Sequence, residues 1–448
     1  MPEKLYLGTA RRNINPQVPI SLAGYFNLRM WEKILDDIEV TALVLKQGET
    51  YSAIVQFALV NVSQELVDGL YREIADIKEL SFHNMIITAT HSHTAPKIRS
   101  AKPNTQSDYL SFVIRKASEA LHDALANMTS GKLFSGMTTD SKFSFNRRYW
   151  MKDGTVVTNP GKLNPNIDRS EGKVDYEIPI IGVKSNGKWQ VILANIVNHA
   201  DTVGGNGVSG DWPGFMIRKL EAEIGGEAIV FPLIGCSGNI NHFDVSTDRN
   251  QTCYAESEKI GTGYAETVGK ALATLKVTRD CTMTVKSCNV VSGPREIAES
   301  ELAEARAVLK KYEDIPNLVS GETLTSEDLV RKATTILKFF ANGLLDMALD
   351  KTDRIFNLVF ISLGSVCIIS MPCEPFVEIG LEIKNKIFPD KLILVVSLSN
   401  GTGCTHAIGG YIPNPYNYGR GGYETTPRAS SLSVKVAKIL LGKVRSLT

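Results

Sequence analysis

The chain has 448 residues, 22% of them charged, and a formal net charge of +1. That length can bury the core of one large α/β domain or of two smaller domains, and the balanced charge offers no field to hold nucleic acid or an anionic membrane. Seven cysteines without CxxC spacing argue against a disulfide framework; with no secretory pattern at the N-terminus, they are the basis for expecting a cytoplasmic protein.

In chain order, residues 40–45 and 52–57 are apolar, β-branched runs across a turn containing Gly48, which predicts paired strands. Ser63 opens a helical pattern to about residue 77, with Gln64 and Glu65 in its first turn. A strand follows in 84–96, Asn-Met-Ile-Ile-Thr-Ala-Thr-His-Ser-His-Thr-Ala-Pro, and another helix is expected over 108–128. Strands are expected near 131–145 and 177–196, a helix from Gly210 to about Ile224, and a buried strand over 228–234. Residues 296–350 change character, with helical runs at 299–311 and 326–349 joined by a connector at 316–321. They read as a helical insertion in a single domain spanning 1–448.

The longest apolar run, 355–372, is broken by Asn357, Ser362, Gly364 and Ser365. It reads as two buried strands rather than a membrane span, so no stable membrane anchor is expected. A helix at 375–387 and a strand at 391–397 complete the pattern. The alternation predicts an α/β fold, a large mixed, partly parallel sheet covered by helices, with its site at strand ends.

Several strand ends carry chemistry. His91 and His93 close the strand in 84–96; on a continuing strand they share a face, roughly 6–7 Å apart, a spacing suited to one metal and its substrate rather than to a direct pair. His199 ends the apolar run 194–199, and Glu374 ends another, where an ionised carboxylate is costly unless paired or metal-bound. Taken alone, each has a plainer reading: a satisfied polar histidine, or a carboxylate at a helix N-terminus. Tyr411 and Tyr423 taken alone are loop tyrosines. Asp201 and Asp211 could hold His199 or Arg147, or serve as turn and helix-start residues. His83, His122 and His406 carry no assigned chemistry.

Together these segments resemble the neutral/alkaline, non-lysosomal ceramidase N-terminal domain family over nearly the whole chain. The likeness runs through Gly8-Thr-Ala, Leu22-Ala-Gly-Tyr, Thr90-His-Ser-His-Thr-Ala-Pro, Asn146-Arg, Asn198-His, Ser209-Gly-Asp, Gly238-Asn-Ile-Asn, Pro372-Cys-Glu, Gly410-Tyr-Ile-Pro and Gly422-Tyr-Glu-Thr. The resemblance implies one Zn²⁺ on His91, His199, Glu374 and Tyr411, with substrate contacts at Gly24, His93, Arg147 and Tyr423. Two histidines, a carboxylate and a phenol oxygen suit zinc better than calcium or magnesium. The family's Gly-Asp-Val-Ser-Pro turn reads Gly238-Asn-Ile-Asn-His here, placing Asn239 and Asn241 at the aspartate and serine positions and removing an acyl-serine route there. Residues 401–407 look inserted before the tyrosine motif, and the family's C-terminal immunoglobulin-like domain is expected to be absent.

The expectation is a zinc hydrolase in which activated water attacks an amide or ester carbonyl of a small or polar substrate. His93 would be the acid/base group or hydrogen-bond the substrate, with Arg147, Tyr423 and Asn241 orienting the substrate or donating to its oxyanion. Two alternatives stand beside it. One is a true ceramidase or N-acyl-lipid amidase, with the apolar residues of 336–340 along an acyl groove; the other is a non-catalytic metal- or sugar-binding protein on a degenerate hydrolase scaffold.

Overall fold

Val40, Ala42 and Val44 point to one face of their strand and Leu43 and Leu45 to the other, and both sets are buried. A strand apolar on both faces needs a covering layer on each side. The computed structural model, which describes residues 4–25, 29–98, 105–225, 227–316, 334–403 and 410–447, supplies both layers.

The central layer is a nine-stranded mixed sheet. Its strands are β1 (Leu5–Asn13), β2 (Glu39–Gln47), β3 (Thr50–Phe57), β4 (Met85–Ala89) and β5 (Thr129–Thr139). They are joined by β6 (Glu177–Ser185), β7 (Lys188–Ile196), β8 (Ile229–Ile234) and the short β9 (Lys276–Val277). The order is β8-β7-β6-β5-β1-β2-β3-β4, with β9 on β5. A second sheet, in the order β10-β11-β12-β14, is built from β10 (Met283–Ser292), β11 (Arg354–Leu363), β12 (Val366–Ser370) and β14 (Leu392–Val396). Two-residue strands β13 (Glu374–Pro375) and β15 (Tyr411–Ile412) pair in parallel apart from both sheets.

Helices α1 (Gln64–Glu73), α2 (Thr105–Ala126), α3 (Asp211–Ile224) and α4 (Tyr254–Ala271) cover the outer face of the large sheet. Its inner face packs on the second sheet through Leu43, Leu193, Leu233, Ile361, Ile368 and Leu394. After α5 (Glu299–Lys311) and α6 (Thr334–Leu349), α7 (Val377–Glu382) and α8 (Val436–Arg445) cover the far face of the second sheet. The order of layers is therefore helix, sheet, sheet, helix. The expected large mixed sheet with helices is present, and the residues of 354–370 are the predicted pair of buried strands, here belonging to a separate sheet.

Local signals explain many element ends. Ser63 caps α1, its hydroxyl accepting from Leu66 N at 3.2 Å, and α1 stops at Glu73, short of the expected 77. The helix expected over 375–387 is α7 followed by a π-helical turn, Ile383–Ile387. α5 matches its expected span, and α6 starts at Thr334 among the described residues. Lys338 of α6 donates to Tyr312 O, just past α5, at 2.9 Å, placing a cation at a helix C-terminus. Residues 317–333 and 404–409, which hold most of the connector, part of the expected insertion helix and His406, lie outside the described residues.

One hairpin–helix–parallel-strand arrangement recurs: β2-β3-α1-β4, β6-β7-α3-β8 and β11-β12-α7-β14. The large sheet also curls until both its edges reach the segment after β14. Ser397 N donates to Ile234 O of β8 (2.9 Å), and Asn400 N donates to Ile87 O of β4 (2.8 Å). Thr88 Oγ1 of β4 donates to Ser397 O (2.9 Å). This closure covers edges that would otherwise be exposed and brings the ends of β4 and β7 to one place.

Packing between the sheets should dominate stability. Leu394→Ala, which would empty a fully buried position between the sheets, is expected to cost about 2–5 kcal/mol, read as a lower urea midpoint with an unchanged slope.

Candidate metal centre

β4 ends at Ala89, and His91 adopts a left-handed backbone with φ 67°. Alternation therefore fails beyond Ala89, and the sequence-based spacing of His91 and His93 is corrected. Their Nε2 atoms lie 3.3 Å apart and their ring centroids 4.8 Å apart. His91 Nδ1 is 2.6 Å from Val60 O; a carbonyl can only accept, so Nδ1 carries the proton and Nε2 points its lone pair inward.

His199 follows β7, and its ring centroid is 4.5 Å from that of His91. Its carbonyl accepts from Trp212 Nε1 at 2.7 Å. The next loop is tied by Asp211, a left-handed residue (φ 56°) accepting from Thr202 N and Val203 N at 2.9 and 3.0 Å. One ligating atom from each of His91, His93 and His199 lies within 4.8 Å of the others.

Glu374 enters through the two-residue ladder in which it pairs with Tyr411. Its Oε2 lies 3.3 Å from His91 Nε2 and 3.2 Å from His199 Nε2, yet receives no well-directed hydrogen bond. Burial opposes its ionisation, but His91 and His199 outweigh burial and hold the carboxyl well below its ordinary range. Burial, then His91, pushes His93 far down; burial, Arg147 and His91 lower His199. His91 moves up because Glu374 and the Val60 carbonyl overcome its burial. Converging imidazole nitrogens around an ionised, unsatisfied carboxylate oxygen fit a divalent transition ion.

Two close approaches hold this geometry. A Cβ on Gly238 would lie 2.4 Å from Glu374 O, and one on Gly24, whose φ is +92°, would lie 2.6 Å from His93 Cβ. Gly24 therefore packs against His93 as well as lining the cavity. Cys373, immediately before Glu374, is also left-handed (φ 58°). Such conformations cost about 1–3 kcal/mol each and persist where the surroundings over-determine them.

Arg147 stands behind the histidines. It donates from Nε to Glu424 Oε1 (2.7 Å) and from Nη2 to Gly238 O (2.7 Å), with Nη1 3.3 Å from His199 Nε2. Its guanidinium carbon is 5.1 Å from the Tyr411 ring centre, and the two groups interact electrostatically. Burial raises the Tyr411 pKa well above its ordinary value, while Arg147 works in the opposite direction. Tyr423 packs edge-on against Tyr411, with centroids 5.8 Å apart. Glu424, singled out by no pattern in the sequence except its place after Tyr423, is fully buried and also accepts from Arg148 Nη1 (2.8 Å) and Thr158 Oγ1 (2.7 Å).

Three residues of the sequence reading make other contacts. Asn241 donates to Asn159 Oδ1 at 3.1 Å and accepts from Phe243 N at 3.1 Å, so both ends of its amide are occupied in a turn away from the cavity wall. Asn239 accepts from Val377 N at 2.8 Å, at the start of α7. Asp201 pairs with neither His199 nor Arg147 but with His242 Nδ1, at 3.0 Å. His242 Nε2 lies 2.7 Å from Gln251 O. With an acceptor on each nitrogen, buried His242 is held as the cation beside ionised Asp201.

The donors open onto a cavity of about 460 Å³, within the small-molecule range of roughly 300–1,000 Å³. His91, His93, Glu374, Tyr411 and Tyr423 line it together with Phe339 and Phe340 of α6. The apolar run in 336–340 thus divides: Ile336 is buried, and the two phenylalanines face the cavity.

Removing the Glu424 charge should leave two buried guanidiniums underpaired. Glu424→Gln is expected to destabilise by about 3–5 kcal/mol, measured by chemical denaturation. Arg147 and Arg148 overcome burial to hold the Glu424 pKa below its ordinary value. Its contribution is therefore complete above that ordinary value and fades as pH falls through the folded pKa; the stability gap between wild type and variant should close on acidification.

No family model matches the chain, and no curated protein matches it in sequence. Among solved structures, the neutral ceramidase from Pseudomonas aeruginosa is similar, with a TM-score of 0.70 at 14% identity, covering 99% of this chain and 74% of that one. A ceramidase complexed with C2 gives the same TM-score, identity and coverage. At that identity the likeness is one of fold: this chain has a ceramidase-like fold carrying a buried group of three histidines.

Proposed function

We propose that the protein is a zinc-dependent hydrolase that cleaves an amide. The observation that carries this reading is the convergence of three imidazole nitrogens and an unsatisfied carboxylate oxygen beside a substrate-sized cavity, which His91, His93 and Glu374 line and behind which His199 is buried. His91, His199 and Glu374 would hold the ion, with Tyr411 as the fourth donor. The ion would supply Lewis acidity and lower the pKa of a water toward about 7.

The protein's own groups provide the rest. Neutral His93 can take a proton from the attacking water and return it to the departing nitrogen. Its closeness to His91 also makes it a possible further ligand, and the two roles separate by metal content. Arg147, fixed by Glu424 and Gly238 O, orients His199 and Tyr411; Tyr423 is placed to donate to the substrate carbonyl. Asn241 is left without a part in the reaction. Phe339 and Phe340 on the cavity wall favour the alternative substrate class, one with an apolar acyl portion, over the small polar one expected from sequence.

Elemental analysis and an amide and ester screen, each with and without chelator, test the reading. About one equivalent of zinc and chelator-sensitive amide cleavage are expected; metal without turnover would make the protein a binding scaffold. His199→Ala should lose both metal and activity. His93→Ala should keep the metal and lose turnover by about 10²–10⁴-fold, and loss of its metal would instead make His93 a ligand.

A further inference from the structure

The charge of the cavity wall is one-sided. Among the described residues, Lys97, Arg428 and Glu374 are the lining side chains with a full charge. Glu374 faces the imidazoles, leaving two cations toward any substrate. Arg428 packs on α6. Its guanidinium carbon sits 3.6 Å from the Phe339 ring centre, and Nη1 donates to Phe339 O at 3.3 Å. A Cβ on Gly343 would come within 3.0 Å of Arg428 Cδ, so the stem lies flat on α6.

Asp346 acts on Arg428 electrostatically, but no described carboxylate comes within ion-pair distance of its guanidinium. Arg428 also shares an electrostatic environment with Tyr423, which packs on Tyr411 beside the metal centre. A half-buried guanidinium with its face on an aromatic ring presents its in-plane N–H edge, the geometry that grips a carboxylate by two parallel hydrogen bonds. Leu22, Val62, Ile98, Phe340 and Leu432 make much of the remaining wall apolar.

We propose that the substrate is an N-acyl amino acid: an apolar acyl chain joined by an amide to an amine bearing a carboxylate, with that carboxylate held by Arg428 and assisted by Lys97. This rests on the amide-hydrolase reading above and names its substrate class. Water oxygen bonds to the acyl carbon and the C–N electron pair goes to nitrogen. Nitrogen takes the proton, giving a fatty acid and a free amino acid, with no further reactant required.

The test uses the zinc-loaded 448-residue chain with N-lauroylglycine, N-lauroyl-β-alanine and N-lauroyl-γ-aminobutyrate, which vary the carboxylate's reach, against neutral N-lauroylethanolamine. At least one carboxylate substrate should exceed the ethanolamide in kcat/KM by tenfold or more. Arg428→Gln should remove that advantage, lowering kcat/KM for the carboxylate substrate at least tenfold more than for the ethanolamide, and Arg428→Lys should lose less of it. Equal rates on charged and neutral amides, or an equal fall on both in Arg428→Gln, would overturn the proposal while leaving an amide hydrolase. If no amide is cleaved, the hydrolase reading fails. Calorimetry then decides recognition: tenfold tighter binding of an N-lauroyl amino acid than of the ethanolamide, lost in Arg428→Gln, supports the carboxylate site, and equal binding overturns it.

Discussion

Imidazole lone pairs facing one another in a desolvated pocket repel unless positive charge sits among them. His91, His93, His199 and Glu374 are in that position, with Nε2 and Oε2 atoms 3.2–3.3 Å apart in neighbouring pairs. Protonating His91 answers part of the repulsion: Glu374 raises its pKa, while burial and then the neighbouring positive charge drive His93 and His199 down. A divalent ion answers all of it at once. Arg147 meets only His199, through Nη1 at 3.3 Å, while its Nε and Nη2 are committed to Glu424 and Gly238, so it steadies the back of the group.

Holding these donors together requires unfavourable local structure, and the layers around it bear the cost. His91 and Cys373 occupy left-handed conformations beside the site, as do Leu398 and Asn400 in the segment shared by the edges of the large sheet. Each costs about 1–3 kcal/mol, a total comparable with burying a few large side chains at about 1.5–3 kcal/mol apiece. The interface between the sheets buries many more than that. The strain is therefore affordable only in a chain long enough to build a double-sheet core.

The element plan was readable because local patterning and tertiary burial agree. Apolar β-branched runs became β2, β3, β7, β8, β11 and β12, and Ser63 capped α1 as its side chain predicts. Helices α4 and α8 were not predicted; the apolar stripe of α4 is diluted by glycine, lysine and glutamate, whereas α8 carries Val436, Leu440, Leu441 and Val444 at helical spacing. The split into two stacked sheets was equally hidden, because a strand buried by helices on both faces has the same composition as one buried by a sheet and a helix. Arg428 carried no local signal, and Glu424 and His242 only a place in a quoted motif; each gains its meaning from partners tens to hundreds of positions away.

By itself the sequence determined which chemistry was available: histidines and a carboxylate at the ends of apolar strands, where such groups need a partner. It also determined the alternation of strands and helices, since periodicity is local. Only the tertiary structure decided distance. The left-handed turn at His91 undid the spacing inferred from strand alternation, the Glu374–Tyr411 ladder joined segments far apart in the chain, and the curl of the large sheet brought two strand ends together. Those are consequences of non-local hydrogen bonds and packing, which no window of neighbouring residues encodes.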